Sequence, residues 1–353
     1  LTKTNLFVNR VMTCMMPAMM LTMNAVTVLI VWVGADRINA GGMQVGDLMA
    51  FIQYTMQIVM SFLMISMMSI MLPRATVSAN RIQEVLETEV EIADPARPED
   101  FVPSKTGEVE FQDVFFRYPG ADEDVLENIT FTAKKGETTA FIGSTGSGKS
   151  TLVNLIPRFY DVTKGRILVN GRDVREVTQH ELRARIGYVP QKGVLFSGTI
   201  ESNLKYGGDS ISDRDMEQAA QIAQATEFIG AKPDGYQSEI SQGGGNVSGG
   251  QKQRLSIARA IAKHPEIYIF DDSFSALDYK TDVALRKELK EKTAGATVLI
   301  VAQRISTILH AEQIIVLDEG KIVGKGTHEE LLQSCEVYQQ IALSQLSKEE
   351  LGK

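Results

Sequence analysis

Two long uncharged runs near the start of the chain constrain its fold more than any other feature. No charged residue lies between Val11 and Ala35, and none lies between Leu48 and Pro73. A helix crosses a hydrocarbon core with about 20 apolar residues, so each run suffices for one crossing. Fourteen of the 15 methionines precede Pro73, whereas everything beyond about Glu87 reads as soluble protein. The mean hydropathy of −0.05 therefore averages two unlike parts. The first residue is Leu1 and no secretory pattern precedes the first run, so the chain is expected to be the C-terminal portion of something longer.

The segment joining the two runs, Gly34 to Asp47, is polar and glycine-rich, as a turn between spans should be, and Trp32 stands where an interfacial anchor belongs. Lys3, Arg10, Arg74 and Arg81 flank the outer ends of the hairpin, and only Arg37 lies in the turn. The positive-inside bias then places both ends in the cytoplasm, which predicts a multi-pass plasma-membrane protein with a cytoplasmic C-terminal part. Pro17 falls inside the first span, where membrane helices tolerate proline. The competing reading is a buried helical hairpin in a soluble protein, where two such runs in succession are rare. Gln53, Gln57 and Ser61 recur every four residues and share one face of the second span. That face serves either helix–helix packing or the wall of a substrate path. The methionines fit adaptable packing among lipids and neighbouring helices, or a pliable surface for varied apolar cargo.

Past Pro73, Arg74 to Glu87 predicts a helix continuing into the cytoplasm, and the acidic stretch Thr88 to Thr106, with Pro95, Pro98 and Pro103, predicts a linker. The expected organisation is a membrane part at 1–87 with spans near 11–35 and 48–73, a linker at 88–106, a nucleotide domain at 107–346 and a tail at 347–353. With 44% apolar and 23% charged residues the chain is an ordinary folded one. A net charge of −8 without a basic run argues against nucleic acid as a partner. Cys14 and Cys335 stand at opposite ends and make neither a disulfide framework nor a metal site.

The cytoplasmic part carries the chemistry. Thr138 to Ile142 reads as a short buried strand feeding Gly143-Ser144-Thr145-Gly146-Ser147-Gly148-Lys149-Ser150, with Thr151 to Ile156 following as a helix. This is a P-loop in its strand–loop–helix context. Glycines let backbone amides curl round phosphate oxygens, Lys149 supplies a cation for the β- and γ-phosphates, and the Ser150 hydroxyl can ligate Mg²⁺. Ile267 to Asp272 is a second buried strand ending in two carboxylates, and Asp271 suits the Mg²⁺ shell. Asn246 to Gln251 leads directly into a predicted helix over Lys252 to Ala262. Its Ser248-Gly249-Gly250 is an anion-binding terminus or a plain N-cap.

In this order and spacing, the chain resembles the ATP-binding cassette (ABC) exporters, in which a bundle of membrane helices precedes a nucleotide-binding domain. The resemblance implies a helical membrane hairpin joined to an α/β P-loop NTPase domain, ATP and Mg²⁺ as ligands, and a second half-transporter as partner within the lipid bilayer. It assigns Tyr118 to stacking on adenine, Gly143 through Thr151 to the Walker A loop and Gln191 to the Q-loop glutamine that touches Mg²⁺. Val247-Ser248-Gly249-Gly250-Gln251 resembles the signature sequence, which closes over ATP held by the opposite subunit, with valine at the usual leucine. Ser275-Ala276-Leu277-Asp278 resembles the D-loop, and Gln303 occupies the switch position.

Two positions depart from the exporter pattern. Asp272 stands where the family carries the glutamate that activates the attacking water, and Gln303 stands where it carries the histidine that supports the γ-phosphate. Aspartate withdraws the carboxylate by about 1 Å, and misplacement on that scale costs on the order of 10²-fold in rate. Glutamine donates a hydrogen bond but carries no charge and shuttles no proton. Together with the intact signature, and with Ser241 to Gly245 where many exporters have an acidic loop, this resembles the degenerate-site half of heterodimeric bacterial exporters. The expected function is ATP-driven export of a hydrophobic or amphipathic cargo, multidrug export being the commonest in the family. The alternatives are a homodimeric exporter with two active sites and an ATP-binding regulatory subunit that moves no cargo.

Overall fold

The computed structural model describes residues 2–208, 210–293 and 295–345, so the expected tail at 347–353 lies outside the described residues. Two compact units divide the chain, Leu1–Val90 and Glu91–Lys353.

The first unit is a helical hairpin of α1 (Thr2–Asn39) and α2 (Val45–Leu86), which contain the two uncharged runs and are long and apolar enough to cross a membrane. Hydroxyls within the runs find partners inside their own helix. Thr22, Thr27, Thr55 and Ser61, for example, each donate to the carbonyl four residues back at 2.8–2.9 Å. A polar side chain in an apolar span is thereby satisfied without water. The helices approach closely at the turn, where a Cβ on buried Gly34 would lie 2.4 Å from Leu48 Cδ1. The start of α2 is fixed by the Asp47 carboxylate accepting from the Gln44 amide at 3.0 Å. Pro73 lies inside α2, which runs on to Leu86 as the polar helical pattern beyond it predicts.

The second unit opens with a strap. Asp94 accepts from the Gln179 amide at 2.8 Å, Glu99 pairs with Arg172 at 2.7 Å, and Phe101 lies under the Arg185 guanidinium. From Glu91 onward, the stretch expected to be a linker is thus hydrogen-bonded to the α/β body rather than hanging as a spacer.

That body has two sheets. Alternating burial makes half-buried strands of β1 (Val109–Phe116) and β2 (Leu126–Ala133), which pair antiparallel with Phe111 stacked on Phe131. With β4 (Lys164–Val169) and β5 (Arg172–Asp173) they form a sheet of order β2-β1-β4-β5. Mostly apolar runs build the larger sheet from β3 (Thr138–Gly143), β6 (Ile186–Val189), β9 (Ile267–Asp271), β10 (Thr297–Val301), β11 (Gln313–Asp318) and β12 (Lys321–Gly326). Its order is β12-β11-β3-β10-β9-β6, parallel throughout except for the β11–β12 hairpin. A two-residue ribbon, β7 (Gly198–Thr199) with β8 (Glu239–Ile240), completes the strands.

Period two sorts the larger sheet's side chains into two cores. Phe141, Ile269, Leu299 and Ile315 face the smaller sheet and α3 (Lys149–Leu155), with α4 (Gln179–Ala184) contributing Leu182. Ile142, Phe270, Ile300 and Val316 face the helical side. That side comprises α5 (Ile200–Leu204), α6 (Asp213–Ile222), α7 (Thr226–Gly230), α8 (Gly249–Ala262), α9 (Tyr279–Lys292), α10 (Ile305–Ile308), α11 (His328–Ser334) and α12 (Glu336–Gln345). Parallel order sets the C-terminal ends of β11, β3, β10, β9 and β6 side by side, the edge at which open α/β sheets bind ligands.

Candidate nucleotide site

β3 ends at Gly143, whose approach to the next strand excludes any side chain. An added Cβ would sit 2.0 Å from the Leu317 carbonyl oxygen of β11. The loop then turns through Gly146 and Gly148, at φ +85° and +92°, a region that glycine enters without a Cβ penalty. Gly148 is the N-cap of α3 and has no side chain to cap it, so the first amides of the helix are left for an external anion. Lys149 Nζ lies across the loop, donating to the carbonyls of Gly143 at 3.0 Å and Ser144 at 2.6 Å and to Ser147 Oγ at 3.2 Å. Burial pulls this ammonium below the usual lysine range, opposed by the charges of Asp272 and Asp271.

β9 delivers the two carboxylates, both nearly buried. Asp271 Oδ1 accepts from Ser150 Oγ at 2.8 Å. Burial pushes the Asp271 carboxyl up, the Ser150 bond opposes this, the neighbouring Asp272 charge adds to it, and Lys149 opposes it. A buried carboxylate and a hydroxyl meeting beside an open helix N-terminus fit a hard divalent cation, so Ser150 and Asp271 are the residues that would hold Mg²⁺, which screens phosphate charge.

Asp272 leaves the strand in the left-handed region, at φ +47°, which aspartate tolerates better than most residues. Its amide donates to Val301 O at 3.0 Å, and its carbonyl accepts from Ser275 Oγ at 2.9 Å, so the turn after β9 is locked from both sides. Its Oδ2 accepts two side-chain amides, Gln191 Nε2 at 3.0 Å and Gln303 Nε2 at 2.6 Å. The residues expected in the Q-loop, the second strand and the switch therefore meet on one oxygen. The Gln191 bond uses its Nε2 and leaves its Oε1 for the Mg²⁺ contact that the resemblance implies.

Tyr118 is half-buried, edge-on to Phe116 and to Tyr160, with its hydroxyl 3.0 Å from Thr151 Oγ1. The loop aromatic thus stands over the start of α3.

Ser248 caps α8 in a reciprocal box, with the Gln251 amide donating to Ser248 Oγ at 3.3 Å and the Ser248 amide donating to Gln251 Oε1 at 3.0 Å. Val247 is buried, whereas Gly249 is exposed. A Cβ on Gly250 would lie 3.4 Å from Ala276 O, which brings the segment expected to be the D-loop against the one expected to be the signature. Leu277 is buried, and Asp278 caps α9 by accepting from the Thr281 amide at 3.0 Å. Among the described residues no hydrogen bond joins Val247–Gln251 to the P-loop.

One residue of this site escaped sequence reasoning. Buried Gln253 on α8 accepts from the Gly193 amide at 2.9 Å and donates to Pro190 O at 3.1 Å, bracketing Gln191. Its signal was a lone amide on the apolar face of a predicted helix.

Residues 126–275 match the model of the ABC transporter family. The chain is 49% identical over 334 residues to an uncharacterized ABC transporter ATP-binding protein of Mycobacterium bovis, covering 94% of this chain and 57% of that protein. It is 37% identical over 310 residues to the ATP-dependent lipid A-core flippase of Desulfotalea psychrophila, covering 88% of this chain and 54% of the relative. A solved bacterial Atm1-family ABC exporter with ATP bound superposes with a TM-score of 0.74 at 35% identity, covering 87% of this chain and 53% of that one. The chain spans just over half the length of these relatives. What the chain shares with that solved structure is a helical membrane segment followed by an α/β domain of the ATP-binding cassette type.

Proposed function

We propose that this chain is the membrane-anchored, nucleotide-binding part of an ATP-driven exporter subunit that works in a pair and moves a hydrophobic or amphipathic cargo out across the plasma membrane. Its own P-loop site binds Mg·ATP and turns it over slowly, while its signature segment completes the competent site of a different partner subunit. The observation that carries this reading is the single Asp272 oxygen holding both Gln191 and Gln303 amides. A general base for water must come within hydrogen-bond reach of it and hold a pKa suited to taking its proton. Here the carboxylate is the short one, and both groups behind it are amides, which neither charge nor shuttle protons. Most of the binding comes from elsewhere: the glycine cradle, Lys149, Ser150 and Asp271 hold the phosphates and the metal, and Gln303 only adds to them. The start of α8 supports the role in trans, because the Ser248–Gln251 box leaves the Gly249 and Gly250 amides for an external anion and Gly249 is exposed.

The test is asymmetric mutagenesis in the assembled transporter. Ser248→Ala removes most ATP hydrolysis by crippling the partner-side site, whereas Asp272→Asn changes it less than about twofold. Equal losses from both substitutions overturn the degenerate site and favour two identical copies.

For cargo, the polar face of Gln53, Gln57 and Ser61 on a methionine-rich span supports an amphipath, and one relative is named a lipid A-core flippase.

A further inference from the structure

The last described helix, α12, ends on a side chain that grips the switch segment. Gln345 Nε2 donates to the Gln303 carbonyl at 2.8 Å, and Gln345 Oε1 accepts from the Ile305 amide at 2.8 Å. A primary amide pairing with C=O of one residue and N–H of the residue two further on reproduces a short piece of β-ladder, and only one orientation of the amide satisfies both partners. The grip fills a local deficit. Helix α10 begins at Ile305, and its N-cap residue Arg304 has no side-chain oxygen to cap it. Gln345 supplies that acceptor from another helix. The helix behind it is anchored: Tyr338 is fully buried and bonded to His328, and Ala342 is fully buried. On the other side, Gln303 reaches 2.6 Å to Asp272. A continuous path therefore runs from the core of α12 through one amide to the backbone of Gln303 and on to the site.

We infer that Gln345 is a positioning residue for Gln303: it fixes where the switch glutamine points, and so how well the site distinguishes a nucleotide carrying a γ-phosphate from one without it. The inference rests on the reading of Gln303 as the γ-phosphate-side residue of an ATP site.

The experiment measures equilibrium binding of ATP and ADP, with Mg²⁺, to the full chain in lipid nanodiscs, for wild type, Gln303→Ala, Gln345→Ala, Gln345→Glu and the double alanine variant. Circular dichroism melting accompanies each. Gln345→Ala is expected to weaken ATP about threefold to tenfold, the scale of one or two hydrogen bonds, with ADP binding unchanged and melting little moved, because Gln345 is exposed. Gln345→Glu keeps the acceptor for Ile305 and loses the donor to Gln303, so its loss is intermediate. In the Gln303→Ala background, Gln345→Ala adds nothing, as required of a residue acting through another. If Gln303→Ala lowers the ATP-over-ADP preference and Gln345→Ala does not, or if their effects simply add, the positioning role is overturned. If Gln303→Ala itself leaves the preference unchanged, the reading of the site falls, and the inference falls with it.

Discussion

Gln303 and Asp272 lie at the ends of neighbouring parallel strands, and the amide of one donates to the carboxylate of the other at 2.6 Å. The two departures from the exporter pattern are thus one contact. A glutamate–histidine pair would place a longer carboxylate beside a titrating ring. The aspartate–glutamine pair places a shorter carboxylate beside a group that only donates, and its preferred partner is the carboxylate itself.

Asp271 should respond to acid in a sign opposite to that of a salt-bridged carboxylate. Its folded pKa is raised by burial, so between the unfolded carboxylate range and that raised value the folded state binds more protons. Stability contributed by this group rises as pH falls through the window and is lost as pH rises through the folded value. Mg²⁺ competes with that proton, so Mg²⁺-dependent ATP binding should weaken on acidification. Asp271→Asn, which keeps an acceptor for Ser150, should leave apo melting unchanged or higher and abolish the Mg²⁺ dependence. A variant that still needs Mg²⁺ would remove Asp271 from the metal site.

Lys149→Ala should weaken ATP binding by at least about tenfold, since the cation that serves the phosphates is gone. Melting without nucleotide should fall only modestly, because the bonds lost are to loop carbonyls and one hydroxyl. Nucleotide titration followed by thermal melting separates the two, and unchanged affinity would contradict the assignment.

Gln253→Ala strips the Gly193 amide and the Pro190 carbonyl of their partners at once. Leaving buried polar groups unpaired costs about 1–3 kcal/mol each, reduced where water enters. Melting should drop and protease cleavage near Gln191 should accelerate, and Gln253→Glu, which keeps the acceptor for Gly193 but sets a buried carboxylate against the Pro190 carbonyl, should lose at least as much.

Legibility in the sequence followed locality. The P-loop, the two carboxylates at the end of β9 and the capped start of α8 are each written within a dozen residues, so spacing alone places them on strand, loop and helix. The membrane hairpin was equally legible, because lack of charge over a whole span is a local property. What stayed hidden is made by contacts distant in sequence. Gln253 meets Gly193 across 60 residues, and Gln345 meets Gln303 across 42. A glutamine on a predicted helix announces neither. The strap from Glu91 looks like a spacer in the sequence because prolines and acids signal an absence of regular structure, and say nothing of hydrogen bonds to a neighbouring surface. The left-handed backbone at Asp272 was invisible for the same reason, yet it bears on residue choice: the longer glutamate gains less from local hydrogen bonding there.

The measurement that tests the account most directly is steady-state Mg·ATP turnover by the full chain in nanodiscs, wild type against Asp272→Glu with Gln303→His. The account predicts that wild type binds ATP but turns it over slowly, and that the double substitution raises turnover at least about tenfold, with melting lowered by the strained backbone at position 272. Fast turnover by wild type, with little change in the double variant, would contradict it.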